Sequence, residues 1–313
     1  MSDLKTFNQY RPLLFSIAYR MLGTVTDAED MVQETFLRWQ QTAEVTVSSA
    51  KTYLSTIVTR LCIDHLRSAR VRREQYIGPW LPEPMLTQQT SDPADAVELA
   101  DTLSTAFLML MENLSPLERA VFLLREVFDY DYSDVGRMVD KNPTYCRQLV
   151  RRARQHLTSR RPRFEVSPQR QEQLVQQFLR ACQQGDLQGL IRLLSEDITF
   201  CSDGGGKVPA ALKPVQGAVK VARLLLNIRR HKPPSTRDYL VEINGQVGIL
   251  QFVDEQLSYV YTFDFIGNRI RTIYTQGNPE KLTLFNRKLV SDRSEHSTIN
   301  LKLLSVESMA TIL

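Results

Sequence analysis

The chain has 313 residues, with 39 lysines and arginines against 35 aspartates and glutamates, a net charge of +4 and a pI of about 8.8; that length holds two or three domains of ordinary size. No apolar run approaches the roughly 20 residues of a membrane span, and Met1-Ser2-Asp3-Leu4 does not begin a signal peptide, so a cytoplasmic protein with no membrane partner is expected. Cys62, Cys146, Cys182 and Cys201 lie far apart without a C-x-x-C pair. That spacing offers neither a zinc site nor a disulfide framework, and no metal or cofactor is expected.

Residues 1–73 read as a helical block. Tyr10, Leu14, Ile17, Ala18 and Met21 recur at helical spacing, Gly23-Thr24 breaks the run, and Thr26-Asp27 offers an N-cap to a second helix. That helix turns Ala28, Val32, Thr35, Phe36 and Trp39 inward and leaves Asp27, Asp30, Gln33 and Glu34 outside. A third helix, Thr52 to Arg70, buries Leu54, Ile57, Val58, Leu61 and Leu66 and presents Arg60, Arg67 and Arg70. One outer face is thus acidic and another basic, which by itself also describes the solvated faces of a small bundle.

Residues 74–92 read as a linker, because Gly78, Pro79, Pro82 and Pro84 exclude regular structure. Trp80-Leu81-Pro82-Glu83-Pro84 puts a large apolar pair in a stiff segment, where little entropy remains to be lost on docking. This stretch is expected to pack on another part of the protein. Residues 93–163 return to helix. Asp92-Pro93 starts a run through Val97, Leu103, Phe107, Leu110 and Met111, and Ser115-Pro116-Leu117-Glu118 is a capping box before Ala120, Val121, Leu123, Leu124 and Val127. A short helix over Ser133–Asp140, a turn at Lys141-Asn142-Pro143, and a helix from Thr144 to Leu157 make a helix-turn-helix. Thr144, Tyr145, Arg147, Gln148, Arg151 and Arg152 can then face a major groove. Residues 141–163 hold eight basic residues and no acidic one, Arg160, Arg161 and Arg163 included; each phosphate they neutralise releases counterions, so nucleic acid is the first candidate partner.

The order of these features resembles the bacterial RNA polymerase sigma factors of the extracytoplasmic-function (ECF) group. Asp27-Ala28-Glu29-Asp30-Met31-Val32-Gln33-Glu34 is similar to the region-two helix that grips the β′ clamp helices of core RNA polymerase. Tyr53 through Arg67, with Ile63-Asp64-His65-Leu66-Arg67, is similar to the helix that meets the minus-ten promoter element. Leu114 through Arg119 and the helix-turn-helix resemble region four, which reads the minus-thirty-five element and touches the β flap. Pro143-Thr144-Tyr145 departs from the Gly-Thr-Val start of many relatives, and Arg60 stands where many have Asn, so base preferences do not transfer.

The chain continues past region four. Leu174, Val175, Phe178, Leu179 and Cys182 mark one amphipathic helix, and Leu187, Leu190, Ile191 and Leu194 a second. Asp197–Ser202 reads as a strand. Asp238–Ile243 pairs with Gln246–Val253 across Asn244-Gly245, and Leu257–Phe265 turns at Gly267-Asn268 into Arg269–Thr275. The pattern resembles the SnoaL-like members of the nuclear-transport-factor-two-like fold. The expected architecture is therefore multidomain: two all-α sigma domains, the second with the helix-turn-helix, then an α+β SnoaL-like cone over residues 168–285, with a tail over 286–313. A cone of this kind has a pocket, which makes a small-molecule ligand a candidate partner. An enzyme would need a buried base. His231 lies in a polar loop, and Asp264 or Tyr261 can point inward.

Asp203-Gly204-Gly205-Gly206-Lys207 is not a Walker loop, because Val208 stands where Ser or Thr is required; three glycines suit a backbone that must approach another surface closely. Together with Asn278-Pro279-Glu280-Lys281-Leu282 and Trp80-Leu81-Pro82, it resembles an ECF subgroup whose fused SnoaL-like extension regulates the sigma in cis. The resemblance implies interdomain roles for Trp80, Leu81, Pro82, Asp203, Gly204, Gly205, Gly206, Lys207, Asn278, Pro279 and Lys281, and no catalytic residue. The alternative is a helix-turn-helix repressor or activator with a ligand-binding domain.

Overall fold

The computed structural model describes residues 4–41, 49–73, 76–87, 102–158, 166–283, 285–286 and 302–303, the side chains of 69–73, 158 and 302–303 excepted. Two compact units share the chain. One takes Met1–Gln75 and Phe107–Arg161; the other takes Tyr76–Ala106 and Pro162–Leu313.

The first unit is helical. Its first helices are α1 (Leu4–Leu22), α2 (Val25–Gln41) and α3 (Ala50–Arg73). Leu14, Ile17, Ala18 and Met21 of α1 and Ala28, Val32, Thr35 and Trp39 of α2 are buried, as the 3.6-residue period requires. The second helix starts earlier than Thr26-Asp27. Gly23, at a φ of 75°, ends α1, and the Thr24 carbonyl already accepts from Ala28 N–H. In α3 the buried stripe also takes in Ser55, Thr59 and Cys62, while Ile57 and Leu61 are only half-buried.

The helix expected from Asp92 to Met111 is interrupted at Ser104 before α4 (Thr105–Met111), and its start lies outside the described residues. Next comes α5 (Pro116–Glu126). Its capping box is complete: Ser115 Oγ accepts from Glu118 N–H, and Glu118 Oε2 accepts from Ser115 N–H at 3.1 Å. The helix-turn-helix is α6 (Tyr132–Val139) and α7 (Pro143–Thr158). Asp140 closes α6 in the left-handed conformation at a φ of 54°. A Cβ on Gly136 would meet the Lys141 carbonyl at 2.5 Å, so the tight turn demands glycine there.

The second unit sets α8 (Pro168–Gln184), α9 (Leu187–Leu193) and α10 (Ala218–Arg230) on a seven-stranded sheet. Its strands are β1 (Leu194–Asp203), β2 (Val215–Gln216), β3 (Arg237–Ile243), β4 (Gln246–Val253), β5 (Gln256–Ile266), β6 (Arg269–Gln276) and β7 (Lys302–Leu303), in the order β2-β1-β6-β5-β4-β3-β7. Among the described residues only β1 and β6 pair in parallel. Asn244 and Gly245, with φ of 53° and 74°, make the β3–β4 hairpin turn. Leu174, Phe178, Leu190, Val221, Leu225, Ile249, Phe263 and Ile273 belong to one core. Val241, Ile243, Leu250, Phe252 and Val260 belong to another, joined by Leu282 and Phe285 from the end of the domain. Burying one such side chain is worth about 1.5–3 kcal/mol. The α+β architecture is the one expected. Helix α10 and strands β2 and β7 are additions that the sequence reading passed over; β7 brings Lys302–Leu303 of the expected tail into the sheet beside β3.

Candidate nucleic-acid interface and linker-docking site

The exposed side of α7 carries the expected readers. Asn142 Oδ1 accepts from Tyr145 N–H at 2.7 Å and Pro143 occupies the first helical position, a cap that needs no other partner. Cys146, Leu149, Val150, Ala153 and Leu157 are buried. That leaves Thr144, Arg147, Gln148, Arg151 and Arg152 exposed and Tyr145 half-buried. The Arg147 guanidinium lies 5.1 Å from the centre of the Tyr132 ring, and Arg154 is tied to Glu126 at 2.6 Å. Arg160, Arg161 and Arg163 lie outside the described residues.

On α2, Asp30 and Gln33 are exposed, Glu34 holds Arg38 at 2.8 Å, and Asp27 accepts from Thr24 Oγ1. Leu37, 45% exposed, follows Gln33 by one helical turn. The sequence reading did not name it; an apolar residue outside the inward stripe was the available signal.

The basic residues of α3 diverge. Arg67 is exposed beside Asp64, and the side chain of Arg70 lies outside the described residues. Arg60 instead points at α6, donating from Nε to the Met138 carbonyl at 2.8 Å and from Nη2 to the Arg137 carbonyl at 3.0 Å. These carbonyls belong to the last turn of α6, where unsatisfied acceptors and the negative end of the helix dipole attract a cation. Two further bonds join the same helical unit: Ser55 Oγ with Tyr130 OH at 2.8 Å, and Arg119 Nη1 to the Met21 carbonyl at 2.6 Å.

In the second unit the three motifs meet at one carboxylate. Asp203, at the end of β1, is fully buried. It accepts from Tyr76 OH at 2.6 Å, Leu81 N–H at 2.9 Å, Gly205 N–H at 3.0 Å, Lys281 Nζ at 2.8 Å and Gln276 Nε2 at 3.3 Å. Burial and the bond to Asp203 push the Tyr76 phenol well above its usual range. Lys281 Nζ also donates to the Leu81 carbonyl at 2.6 Å and sits 4.3 Å and 4.9 Å from the ring centres of Trp80 and Tyr76. Leu81 is 1% exposed, and Pro82, Glu83 and Pro84 are buried with it. Asn278 Oδ1 accepts from Glu280 N–H, its Nδ2 donates to Tyr76 OH at 2.8 Å, and Pro279 follows it as the first residue of a helical turn.

The glycines are needed for separate reasons. A Cβ on Gly204 would meet the Val208 carbonyl at 2.4 Å, one on Gly205 the Asn278 amide at 2.3 Å, and one on Gly206 the Ile77 side chain at 2.8 Å; Gly205 and Gly206 also have positive φ. Lys207 stays outside and pairs with Glu280. Beyond the motif, Met85 N–H donates to Asn244 Oδ1, Asn244 Nδ2 donates to the Leu103 carbonyl, and Thr105 bonds Thr262. The segment is thus fastened to the sheet near both of its ends. Tyr76, Gln276 and Asn244 were not foreseen, since only the fold brings them to the motifs.

A second polar cluster uses the strands. Asp238 takes Arg229 Nη1 at 3.1 Å and Gln251 Nε2 at 2.6 Å; Lys232 Nζ donates to Gln251 Oε1 and, at 3.0 Å, to Tyr261 OH. Desolvation lowers the Lys232 pKa to about 8 and pushes the Tyr261 phenol up. Asp264 is half-buried and His231 is exposed. Burial raises the thiols of Cys182 and Cys201 to about 12 and about 11, which makes them poor nucleophiles.

Helical modules with an exposed basic recognition helix, followed by a sheet domain that grips the segment between them, define a multidomain DNA-binding protein. The family profile Sigma-70 region 2 matches residues 6–72, and Sigma-70, region 4 matches residues 104–157. The chain is 36% identical over 250 residues to the ECF RNA polymerase sigma factor SigJ of Mycobacterium tuberculosis, covering 79% of this chain and 80% of that one. It is 32% identical over 275 residues to the probable ECF sigma factor SigI of the same organism, covering 87% and 92%. Against the crystal structure of SigJ the TM-score is 0.73 at 31% identity, covering 90% of this chain and 98% of the other. The chain belongs to the extracytoplasmic-function RNA polymerase sigma factors. No helix among the described residues is long and apolar enough to cross a membrane.

Proposed function

We propose that this sigma factor is held in cis in an inactive arrangement. In the active one, the α2 face of Asp27, Asp30, Gln33, Glu34 and Leu37 engages the β′ clamp helices of core polymerase in the cytoplasm, region four touches the β flap, and α3 and α7 read promoter DNA. The observation that carries the restraint is Arg60. The minus-ten and minus-thirty-five elements are about 25 base pairs apart, on the order of 85 Å of B-form DNA, whereas α3 is hydrogen-bonded to α6 of the helix-turn-helix. Both elements cannot be read until that contact opens. Residues 76–87, which run between the two sigma modules, are meanwhile bonded to the sheet domain through Asp203 and Asn244, which limits how far that segment can extend.

The reading gives the sheet domain a regulatory role and no catalytic one. What supports this is that its buried carboxylates are already committed, Asp238 to Arg229 and Gln251 and Asp203 to the linker. Transcription from fragmented host DNA by bacterial core polymerase tests it, with the intact chain and Asp203→Ala side by side. The variant is expected to give more promoter-specific transcript. Equal transcription from both refutes restraint by the docked linker. Glu34→Lys separates the sigma from a repressor: it impairs a sigma through polymerase binding and leaves operator binding by a repressor untouched.

A further inference from the structure

From Gly204 to Arg237 the chain carries eight lysines and arginines and no aspartate or glutamate. Four of these cations are engaged internally: Lys207 with Glu280, Arg229 with Asp238, Lys232 with Gln251 and Tyr261, and Arg237 with the Pro234 and Thr236 carbonyls. Lys220, Arg223 and Arg230 are exposed on α10, and none pairs with an acidic side chain among the described residues. With Asn227 they fall at i, i+3, i+7 and i+10, one stripe about 15 Å long at 1.5 Å rise per residue. Val221, Ala222 and Leu225 fill the opposite side. Local stability accounts for only part of the stripe: Arg230, in the last turn, faces the negative end of the helix dipole, but Lys220 and Arg223 have no such support. Lys220 lies in the first turn, at the positive end of the helix dipole, where an acidic residue would be favoured and none is present. Neighbouring like charges along one helix face also repel. Cations kept at Lys220 and Arg223, where local stability does not favour them, and continued along the same face by Arg230, mark a partner of opposite charge.

We propose that the α10 face of Lys220, Arg223, Asn227 and Arg230 binds the phosphate backbone of duplex DNA. The regulatory domain then adds a sequence-independent hold to the readout by α7. The spacing suits a polyanion with regularly repeated charges, and flexible lysine and arginine heads on a helix exterior fit phosphates rather than base edges. Because this surface is on the same chain as α7, engagement of α7 raises its effective concentration near the duplex without any new contact. The proposal rests on the sigma reading above for its DNA target.

The test is fluorescence anisotropy of the intact chain on a labelled 30-base-pair duplex of arbitrary sequence, between 25 and 200 mM salt. The Lys220→Gln/Arg223→Gln/Arg230→Gln chain is compared with wild type and with Arg147→Gln/Arg151→Gln in α7. At roughly 0.9 per phosphate contact, the α10 variant should lower the slope of log affinity against log salt by about 2 to 3. A Lys220→Arg/Arg223→Lys/Arg230→Lys chain should keep the wild-type slope. An unchanged slope in the α10 variant overturns the proposal, as does loss of core-polymerase binding with DNA binding intact, which would make the surface a protein interface. If the α7 variant loses no affinity while the α10 variant does, the helix-turn-helix reading fails and this one survives.

Discussion

Two of the cations that donate to backbone carbonyls, Arg60 and Lys281, are held very differently. Arg60 reaches the Met138 and Arg137 carbonyls from an exposed position and forms no ion pair among the described residues. Lys281 reaches the Leu81 carbonyl with its head buried between Trp80 and Tyr76 and a fully buried Asp203 at 2.8 Å. The first contact exchanges easily for water. The second leaves uncompensated charge in the interior if either partner is lost. The difference teaches which joints of the proposed switch give way first: the exposed Arg60 bonds open at small cost, the buried Ser55–Tyr130 and Arg119–Met21 bonds of the same helical unit at more, and the linker stays anchored unless something competes for Asp203.

The most severe break is Asp203→Ala, which strands the Lys281 ammonium, the Leu81 amide and the Gln276 side chain. It should cost about 3–5 kcal/mol and lower the melting temperature of the sheet unit on the order of 10 °C, with faster proteolysis within residues 76–87. Unchanged melting and cleavage would mean that the anchor is not held there. Gly205→Ala comes next. The positive φ and the Asn278 amide at 2.3 Å from the added Cβ together should cost about 2–3 kcal/mol. Gly185→Ala, also at positive φ but with nothing within 4 Å, should cost only about 1 kcal/mol. Equal costs in urea titrations would show that conformation alone, and not close approach, selects the glycines.

Arg60→Ala should cost no more than about 1 kcal/mol, as expected for exposed hydrogen bonds, and speed amide hydrogen exchange over α6 while leaving the sheet unit unaffected. Protection lost in both units would erase the contrast drawn above. Lys232 couples stability to pH. Its folded pKa of about 8 lies below the ordinary 10.5, so between those values the unfolded chain binds more protons and stability rises with pH. Below about pH 8 the lysine is charged in both states and the burial penalty stands in full. Melts of wild type and Lys232→Met at pH 7.5 and 9.5 should show the wild type gaining relative to the variant.

Periodicity was a sound guide wherever one face of an element meets a core: α1, α2, α5, α7 and the hairpins from β3 to β6 lie close to where apolar spacing and turn residues put them. Capping signals were equally local, at Ser115 and at the Asn142-Pro143 turn. Where α3 packs on more than one neighbour, the simple stripe misjudged Ile57 and Leu61. Helix α10 was missed because its three buried positions lie within a basic stretch that reads as polar. The motif glycines and Trp80 were visible as oddities, yet the carboxylate at their centre could be named only as one letter of a motif.

The sequence by itself determined the helical modules, the basic recognition helix, the α+β extension and the identity of the segments set aside for contact, because these depend on local period, capping and charge. Only the tertiary structure decided that Arg60 caps α6, that Tyr76 and Gln276 join Asp203, and that Asp238 is spent on Arg229 and Gln251. Those outcomes join residues remote in the chain, and hydrogen-bond geometry over such separations is set by how the elements pack, not by any pattern along the sequence.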